Sequence, residues 1–480
     1  MTGSSHNNSL SLGRVDWSMV AIYAALVLTG LLNIYAAVYD PEHSSIFDMD
    51  QSYGKQLMWI GISAFLAISV LLIDDKYYHV FAYPLYWLSI LFLLGVFVFG
   101  KEVNGARAWY EFGSVRVQPT EFVKVTASLA LARCMSSYAF NIHSLKSLLN
   151  VGLILGIPVA VIILQNDTGS ALVYVSFFFM LYREGFNRWL YITVFLLLLL
   201  FVLSFLVEPV PLLVILVLIC VIGEGLTNGR WKTKIIYLAG VALGALGGYF
   251  GTLALGRPMS ADVAVIAAVA VSLIFVVTYA YRQRLRNVWF FVLLFFGSLA
   301  FTQTIDYVFD NVLQVHQQKR ILDLLGLESD LKGWGYNVNQ SKIAIGSGGF
   351  TGKGFLEGTQ TKYNFVPEQS TDFIFCTVGE EWGFVGSTVV VVLFGMLILK
   401  LIAMGERQQE AFGRIYCYCA AGIFLFHVAI NIGMTIGLMP VIGIPLPFFS
   451  YGGSSLIAFT LLLFIAIKLD TSKKDHITRI

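Results

Sequence analysis

Residues 317–381 read QQKRILDLLGLESDLKGWGYNVNQSKIAIGSGGFTGKGFLEGTQTKYNFVPEQSTDFIFCTVGEE. This is the one long polar island after residue 120, and it decides the fold by contrast. Upstream of it lie apolar runs near 15–38, 56–73, 79–99, 119–138, 145–165, 168–183, 188–207, 210–227, 234–255, 262–281 and 287–304. Downstream lie three more, near 384–403, 414–435 and 454–469. A helix needs about 20 apolar residues to span a bilayer, so the fourteen runs predict an all-α polytopic membrane protein.

Composition agrees. Of 480 residues, 57% are hydrophobic and 12% charged, with a mean hydropathy of +0.76. A water-soluble domain carries about 25% charge. The net charge of +2 argues for no nucleic-acid partner. Cys134, Cys220, Cys376, Cys417 and Cys419 form no CxxC pair and sit in apolar runs, so they read as small core residues. The N-terminus lacks a signal peptide with a small-residue cleavage site, so the first run is expected to stay as a span.

Lys and Arg in short loops set orientation. With the N-terminus in the cytoplasm, the inner loops hold Lys76, Arg133, Lys146, Arg183, Arg188, Arg230, Lys232, Lys234, Arg282, Arg284, Arg286, Lys400, Arg407 and Arg414. The C-terminal tail adds Lys468, Lys473, Lys474 and Arg479 on the same side. Outside, beyond the loops 100–118 and 303–383, lie Lys55 and Arg257. Both large polar loops are thus expected outside the cytoplasm and both termini inside. The expected organisation is an N-terminal half over 1–207, hairpins over 208–285, a helix over 286–302, the loop 303–383 and C-terminal helices over 384–480.

Several residues have side chains suited to chemistry. Asn104-Gly105 signals a turn and Pro119 suits the first turn of a helix. Glu121 and Lys124 follow at i, i+3 on one face, as a structural lock between helices or a working pair. Arg107 suits bidentate phosphate contact; for Arg116 lipid headgroups are the expected partners. Asp167 in Asp-Thr-Gly is not an aspartic-protease motif, because no second copy exists to share a proton; capping the next helix is its plain role. In the island, Glu328-Ser329-Asp330 reads as a solvated turn or as a base or cation ligand. Its glycines, 346, 348, 349, 352, 354 and 358, do not match the P-loop spacing. Lys342 and Lys353 are candidate phosphate partners. Glu368, Thr371 and Asp372 precede an apolar stretch over 373–379, with Thr371 or Asp372 expected as its N-cap. The broken helix pattern of 439–455 belongs against protein or a cavity, and His427 and Asn431 share a face at i, i+4 as packed, hydrogen-bonded residues.

These segments together resemble the SEDS family. The resemblance is carried by NGARAW (104–109), QPTEFVK (118–124), NDTGSALV (166–173), GYNVNQSKIAIGSGGFTGKGFLEGTQT (335–361), FVPEQSTDFIF (365–375), GEEWGFVG (379–386) and PVIGIPLPFFSYGGSS (440–455). It covers most of the chain outside 208–285. It implies a ten-span helical core, with about four inserted spans in 208–285 and a large extracytoplasmic loop. Asn166 stands where the family usually has Pro before the Asp of Asp-x-Gly.

The resemblance also implies an enzyme of the bacterial cytoplasmic membrane, a peptidoglycan glycosyltransferase that polymerises lipid II at its outer face for elongation and shape. The implied partners are lipid II, a polyprenyl-diphosphate-linked glycan and a class B penicillin-binding protein. The family's essential loop carboxylate falls on Asp330. Substrate contact is expected from Arg107, Glu121, Lys124, Asp167, Gln340, Ser341, Lys342, Lys353, Glu368, Thr371, Asp372 and Ser450, with Mg2+ or Mn2+ as the expected cofactor. The rival reading is a lipid II flippase, which would gather its polar groups near the midplane; a third is a scaffold for the penicillin-binding protein.

Overall fold

A computed structural model describes residues 15–39, 47–103, 105–113, 115–228, 231–255, 260–282, 286–311, 313, 315, 318–319, 322, 335–363 and 365–477. All fourteen apolar runs are helical. Among the described residues, ten helices are long and apolar enough to cross a membrane. The other four runs differ for physical reasons. Helix α4 (Pro119–Met135) carries Glu121, Lys124 and Arg133 in seventeen residues. The run 168–183 is broken into α6 (Thr168–Leu172), a 3-10 turn (Val173–Ser176) and α7 (Phe177–Arg183). The segments Leu190–Leu206 and Pro209–Gly225 are apolar but short.

The chain divides into two units. The first comprises residues 1–186 and 330–480. Its helices are α1 (Trp17–Ala37), α2 (Ser52–Leu72), α3 (Asp75–Phe99), α4, α5 (Leu145–Leu164), α6 and α7. The second unit, 187–329, holds α8 (Arg188–Leu206), α9 (Pro209–Asn228), α10 (Trp231–Ala254), α11 (Ala261–Arg282) and α12 (Arg286–Asn311). Its own core gathers Leu200, Leu216, Val217, Val269 and Phe295. The chain then returns to the first unit as α13 (Tyr336–Ser347), α14 (Thr359–Lys362), α15 (Ile374–Arg407), α16 (Ala411–Thr435) and α17 (Gly453–Ile477).

Within the first unit, apolar packing leaves backbone polar groups to be satisfied by side chains. Pro158 lies inside α5 and has no N–H for the carbonyl of Ile154. Tyr86 of α3 donates its hydroxyl to that carbonyl at 3.0 Å. One element is added to the helical plan: an antiparallel sheet of β1 (Lys101–Val103), β2 (Ala106–Phe112) and β3 (Val115–Val117), in that order. Gly105 turns the first hairpin at φ +82°. Glu111 faces Arg116 across the second and contacts Lys101 at 2.5 Å; those two cations hold its carboxyl below the usual range.

The two ends of the first unit differ in kind. At the start of α1, Asp16 meets Lys400 and Arg407 from the end of α15, and Arg407 also pairs with Asp470 of α17. Arg414, at the start of α16, grips Glu184 with two bonds at 2.8 and 2.9 Å. Lys468 donates to the carbonyl of Leu71, at the last turn of α2. The opposite end carries the sheet, α6, α13, α14 and the irregular segment 436–452.

Helix α15 absorbs both the 373–379 stretch and the next apolar run, with a break at Gly383 (φ +61°). Neither Thr371 nor Asp372 caps it: Phe373 occupies the N-cap position, and Thr371 donates its hydroxyl to Glu368 at 2.9 Å. The glycine-rich run packs on the first turns of α15. A Cβ at Gly348 would lie 2.0 Å from the carbonyl oxygen of Gly379, and one at Gly352 would lie 2.1 Å from that of Glu381. Gly352 also has φ +82°. Gly352→Ala should therefore lower the melting temperature of the detergent-solubilised protein by several degrees, a penalty of roughly 2–4 kcal/mol. Gly346→Ala, whose Cβ meets no described atom within 4 Å, should leave it unchanged.

Candidate functional site

The site is built on an irregular loop, residues 440–452, wedged between helices. Pro440, Pro445 and Pro447 forbid a continuous helix here. Gly30 of α1 admits the loop: a Cβ there would lie 2.7 Å from both the Phe448 carbonyl oxygen and the Phe449 Cα. Side chains of α16, α2 and the loop itself, with one main-chain carbonyl of the 368–372 segment, bind the loop backbone. Asn431 of α16 donates to the carbonyls of Ile444 and Asp372, both at 2.8 Å. His427, one turn earlier, has Nδ1 at 3.1 Å from the carbonyl of Pro445. Ser450 accepts from the Leu446 amide at 2.8 Å and donates to the Thr371 carbonyl at 2.5 Å. The Tyr451 amide donates to Ser370 at 2.9 Å, and the Gly452 amide to Gln56 of α2 at 3.4 Å.

Behind the loop lies a buried ion pair. Lys124 Nζ is 2.7 Å from Glu121 Oε2, with the two residues 2% and 5% exposed. The ammonium also lies 3.1 Å from His427 Nε2 and 4.2 Å from the centre of the Phe459 ring. In the low-dielectric interior each group stabilises the charged form of the other, and removing one strands the other.

Asp167 caps α6 as expected, accepting from the Ser170 amide at 3.1 Å and the Ser170 hydroxyl at 2.7 Å. Gln118, just before α4, donates to the same carboxylate at 2.9 Å. Asn166 turns at φ +60°. Gly169 lies against the loop, where a Cβ would come 2.5 Å from the Ile442 carbonyl oxygen. The Arg107 amide donates to the Gln165 carbonyl at 3.0 Å, which ties the sheet to this corner. The Arg107 side chain is exposed and donates through Nε to the carbonyl of Gly100.

Lys353 is not placed as a phosphate partner. Its ammonium pairs with Glu380 at 2.7 Å and binds the Thr359 hydroxyl at 2.7 Å. Fully buried Glu380 accepts the amides of Thr359, Gln360 and Thr361 at 2.8, 2.9 and 2.9 Å. A carboxylate on the free amides of a helix start is favourable, so this group pins α14 to α15. Lys124 is likewise held internally, by Glu121 and His427.

Gln340, Ser341 and Lys342 lie on α13. Ser341 is buried and donates to the Thr435 carbonyl at 2.9 Å. Lys342 is exposed and Gln340 half-buried; Lys342 runs beside Gly437. Glu368 has φ +55°. Asp372 sits beside Gly443, where a Cβ would be 3.3 Å from Oδ2; burial, then the neighbouring Glu368, pushes its carboxyl up to about 7. Asp330, with Glu328 and Ser329, lies outside the described residues. The loop thus brings together Glu121, Lys124, Asp167, Thr371, Asp372 and Ser450; Lys353 is bound up with Glu380, and Arg107 is joined to the Asp167 corner through its amide. Sequence reasoning assigned no role to Gln118 or Glu380, and read His427 as a packed, hydrogen-bonded residue without naming its partners. The i, i+4 spacing of His427 and Asn431 was the available signal; nothing local announces Glu380.

Fold and site together define a polytopic helical membrane protein whose polar motif segments meet at one end of an apolar bundle. The family model for FtsW, RodA and SpoVE, described as cell cycle proteins, matches residues 16–218 and 208–475. The peptidoglycan glycosyltransferase RodA of Treponema pallidum (strain Nichols) is 33% identical over 445 residues, covering 92% of this chain and 94% of that protein. The peptidoglycan glycosyltransferase MrdB of Escherichia coli (strain K12) is 30% identical over 465 residues, covering 96% and 95%. A chain in a solved peptidoglycan synthase complex, described as coordinating polymerization and crosslinking, shares the fold with a TM-score of 0.58 at 24% identity, covering 96% of this chain and 98% of that one. The chain belongs to the FtsW/RodA/SpoVE family.

Two outcomes test the geometry. Lys124→Met should destabilise the solubilised protein by about 3–5 kcal/mol by stranding Glu121, and Glu121→Gln combined with it should recover most of that loss; melting temperatures in detergent check both. For Asp372 the folded carboxyl titrates near 7 and the unfolded one far lower. Its contribution to stability is therefore full in acid and lost as pH rises through about 7. Asp372→Asn should raise the melting temperature at pH 8 and change it little at pH 4.

Proposed function

We infer that this chain is a peptidoglycan glycosyltransferase that extends glycan strands from lipid II at the outer face of the cytoplasmic membrane, in cell elongation and shape. The observation that carries the reading is the meeting of the motif segments 118–124, 167–170, 368–372 and 440–452 on one loop, in a chain aligned almost end to end with RodA and MrdB. The charged residues of the opposite end include Arg407, Arg414, Lys400 and Lys468. The positive-inside bias supports that end in the cytoplasm and the loop outside.

In this reading the growing glycan is the donor, α-linked through diphosphate to a polyprenyl chain, and lipid II is the acceptor. The GlcNAc 4-hydroxyl of lipid II attacks the anomeric carbon from the face opposite the diphosphate. The new C–O bond forms as the bond to diphosphate breaks, giving an inverted, β-linked product. Asp330 takes the hydroxyl proton. Diphosphate leaves without a protonating acid, and the exposed Arg107 and Lys342 are the cations offered to it. Asp167, Lys124 and Glu121 hold the floor of the site. The lipid tails stay among the apolar helices.

Among the described residues no group of three or more His, Cys, Asp or Glu is arranged to cage a metal ion; an assay with and without EDTA tests the expected Mg2+ or Mn2+. The crosslinking partner is a class B penicillin-binding protein, a pairing supported by the similarity to a chain of a peptidoglycan synthase complex. The flippase reading is weaker, because the motif segments gather at one end of the bundle rather than around its middle.

The purified protein should polymerise labelled lipid II, and Asp330→Asn should reach the membrane and yield no polymer. Undiminished polymer from that variant would remove Asp330 as the base.

A further inference from the structure

We propose that His427 is a positioning residue that ties the Glu121–Lys124 pair to the 440–452 loop and holds both in register for glycosyl transfer. The proposal rests on the enzymatic reading above, and its test separates the two.

The bonding fixes the state of the ring. A carbonyl oxygen can only accept, so Nδ1, 3.1 Å from the Pro445 carbonyl, carries a hydrogen. A lysine ammonium can only donate, so Nε2, 3.1 Å from Lys124 Nζ, is the unprotonated nitrogen. The imidazole is therefore a neutral relay with one donor and one acceptor, each directed at a different element. Phe459 of α17 fixes the ring plane from the side, with centroids 4.8 Å apart and planes at 88°. The same phenyl ring lies under the Lys124 ammonium.

A buried neutral imidazole needs a partner for each nitrogen, and here the two partners lie on different elements. This one joins α4 to the loop through α16. Asn431 holds the Ile444 carbonyl and His427 the next one, at Pro445. A shift of the loop is thereby transmitted to Lys124. The same loop touches the helix capped by Asp167 and the Thr371–Asp372 segment, so His427 closes a circuit that Asn431 and Ser450 leave open on the α4 side.

The test uses full-length protein in detergent and two variants. His427→Phe keeps the ring against Phe459 and removes both bonds. His427→Gln restores one donor and one acceptor. His427→Phe should slow turnover of lipid II polymerisation about tenfold while the KM for lipid II stays within about twofold, and His427→Gln should recover most of the rate. Amide exchange across 441–452 should quicken about tenfold in His427→Phe. Unchanged turnover, unchanged exchange in the loop, or a Gln variant as slow as the Phe variant would each overturn the proposal. Wild-type protein that makes no polymer would instead defeat the enzymatic reading, and the exchange measurement would still decide whether His427 holds the loop.

Discussion

Everything at the working end of this molecule depends on one constraint. Backbone that leaves the helix inside an apolar bundle must find hydrogen-bond partners in the protein, because lipid offers none. Residues 440–452 leave the helix at three prolines, and their carbonyls and amides are met by side chains placed for the purpose. Asn431 and His427 serve two successive carbonyls from one face of α16, Ser450 serves an amide and a neighbouring carbonyl, and Gln56 reaches in from α2. The polar side chains buried in this region are the supports of a non-helical segment, and the non-helical segment is what gathers the motif residues.

Charge is handled differently at the two ends. The far end is tied by ion pairs among Asp16, Lys400, Arg407 and Asp470, joined by Glu184 with Arg414. The site end relies mainly on neutral bonds to main chain and holds two buried ion pairs: Glu121 with Lys124, and Glu380 with Lys353 and three amides. Asp372 is buried beside Glu368, and its proton affinity rises accordingly. Lys124 and Lys353, two of the lysines expected at substrate, are each the counter-charge of a buried glutamate.

Much of the architecture was legible in the residues. Apolar runs of sufficient length mark spans whatever their partners, and Pro119, Asp167 and the Glu121/Lys124 spacing act locally, so each was readable. What was not readable depends on distant contacts. The period-two alternation of 106–112 and 115–117 was too short to outweigh the surrounding helices, and the small sheet was missed. Gly348 and Gly352 miss the P-loop spacing, but their close packing on the carbonyls of Gly379 and Glu381 is visible only in the fold. The expected cap at Thr371 or Asp372 failed because Thr371 found Glu368 and because the Asp372 and Thr371 carbonyls serve Asn431 and Ser450.

The supports of the loop grip atoms that every amino acid possesses. Asn431 and His427 recognise carbonyl oxygens, not the side chains of Ile444 and Pro445. Position 444 can therefore drift among apolar residues of similar bulk with little penalty, while an exchange at 431 orphans two carbonyls at once. At position 444 the constraint therefore falls on the helix that does the holding rather than on the side chain being held.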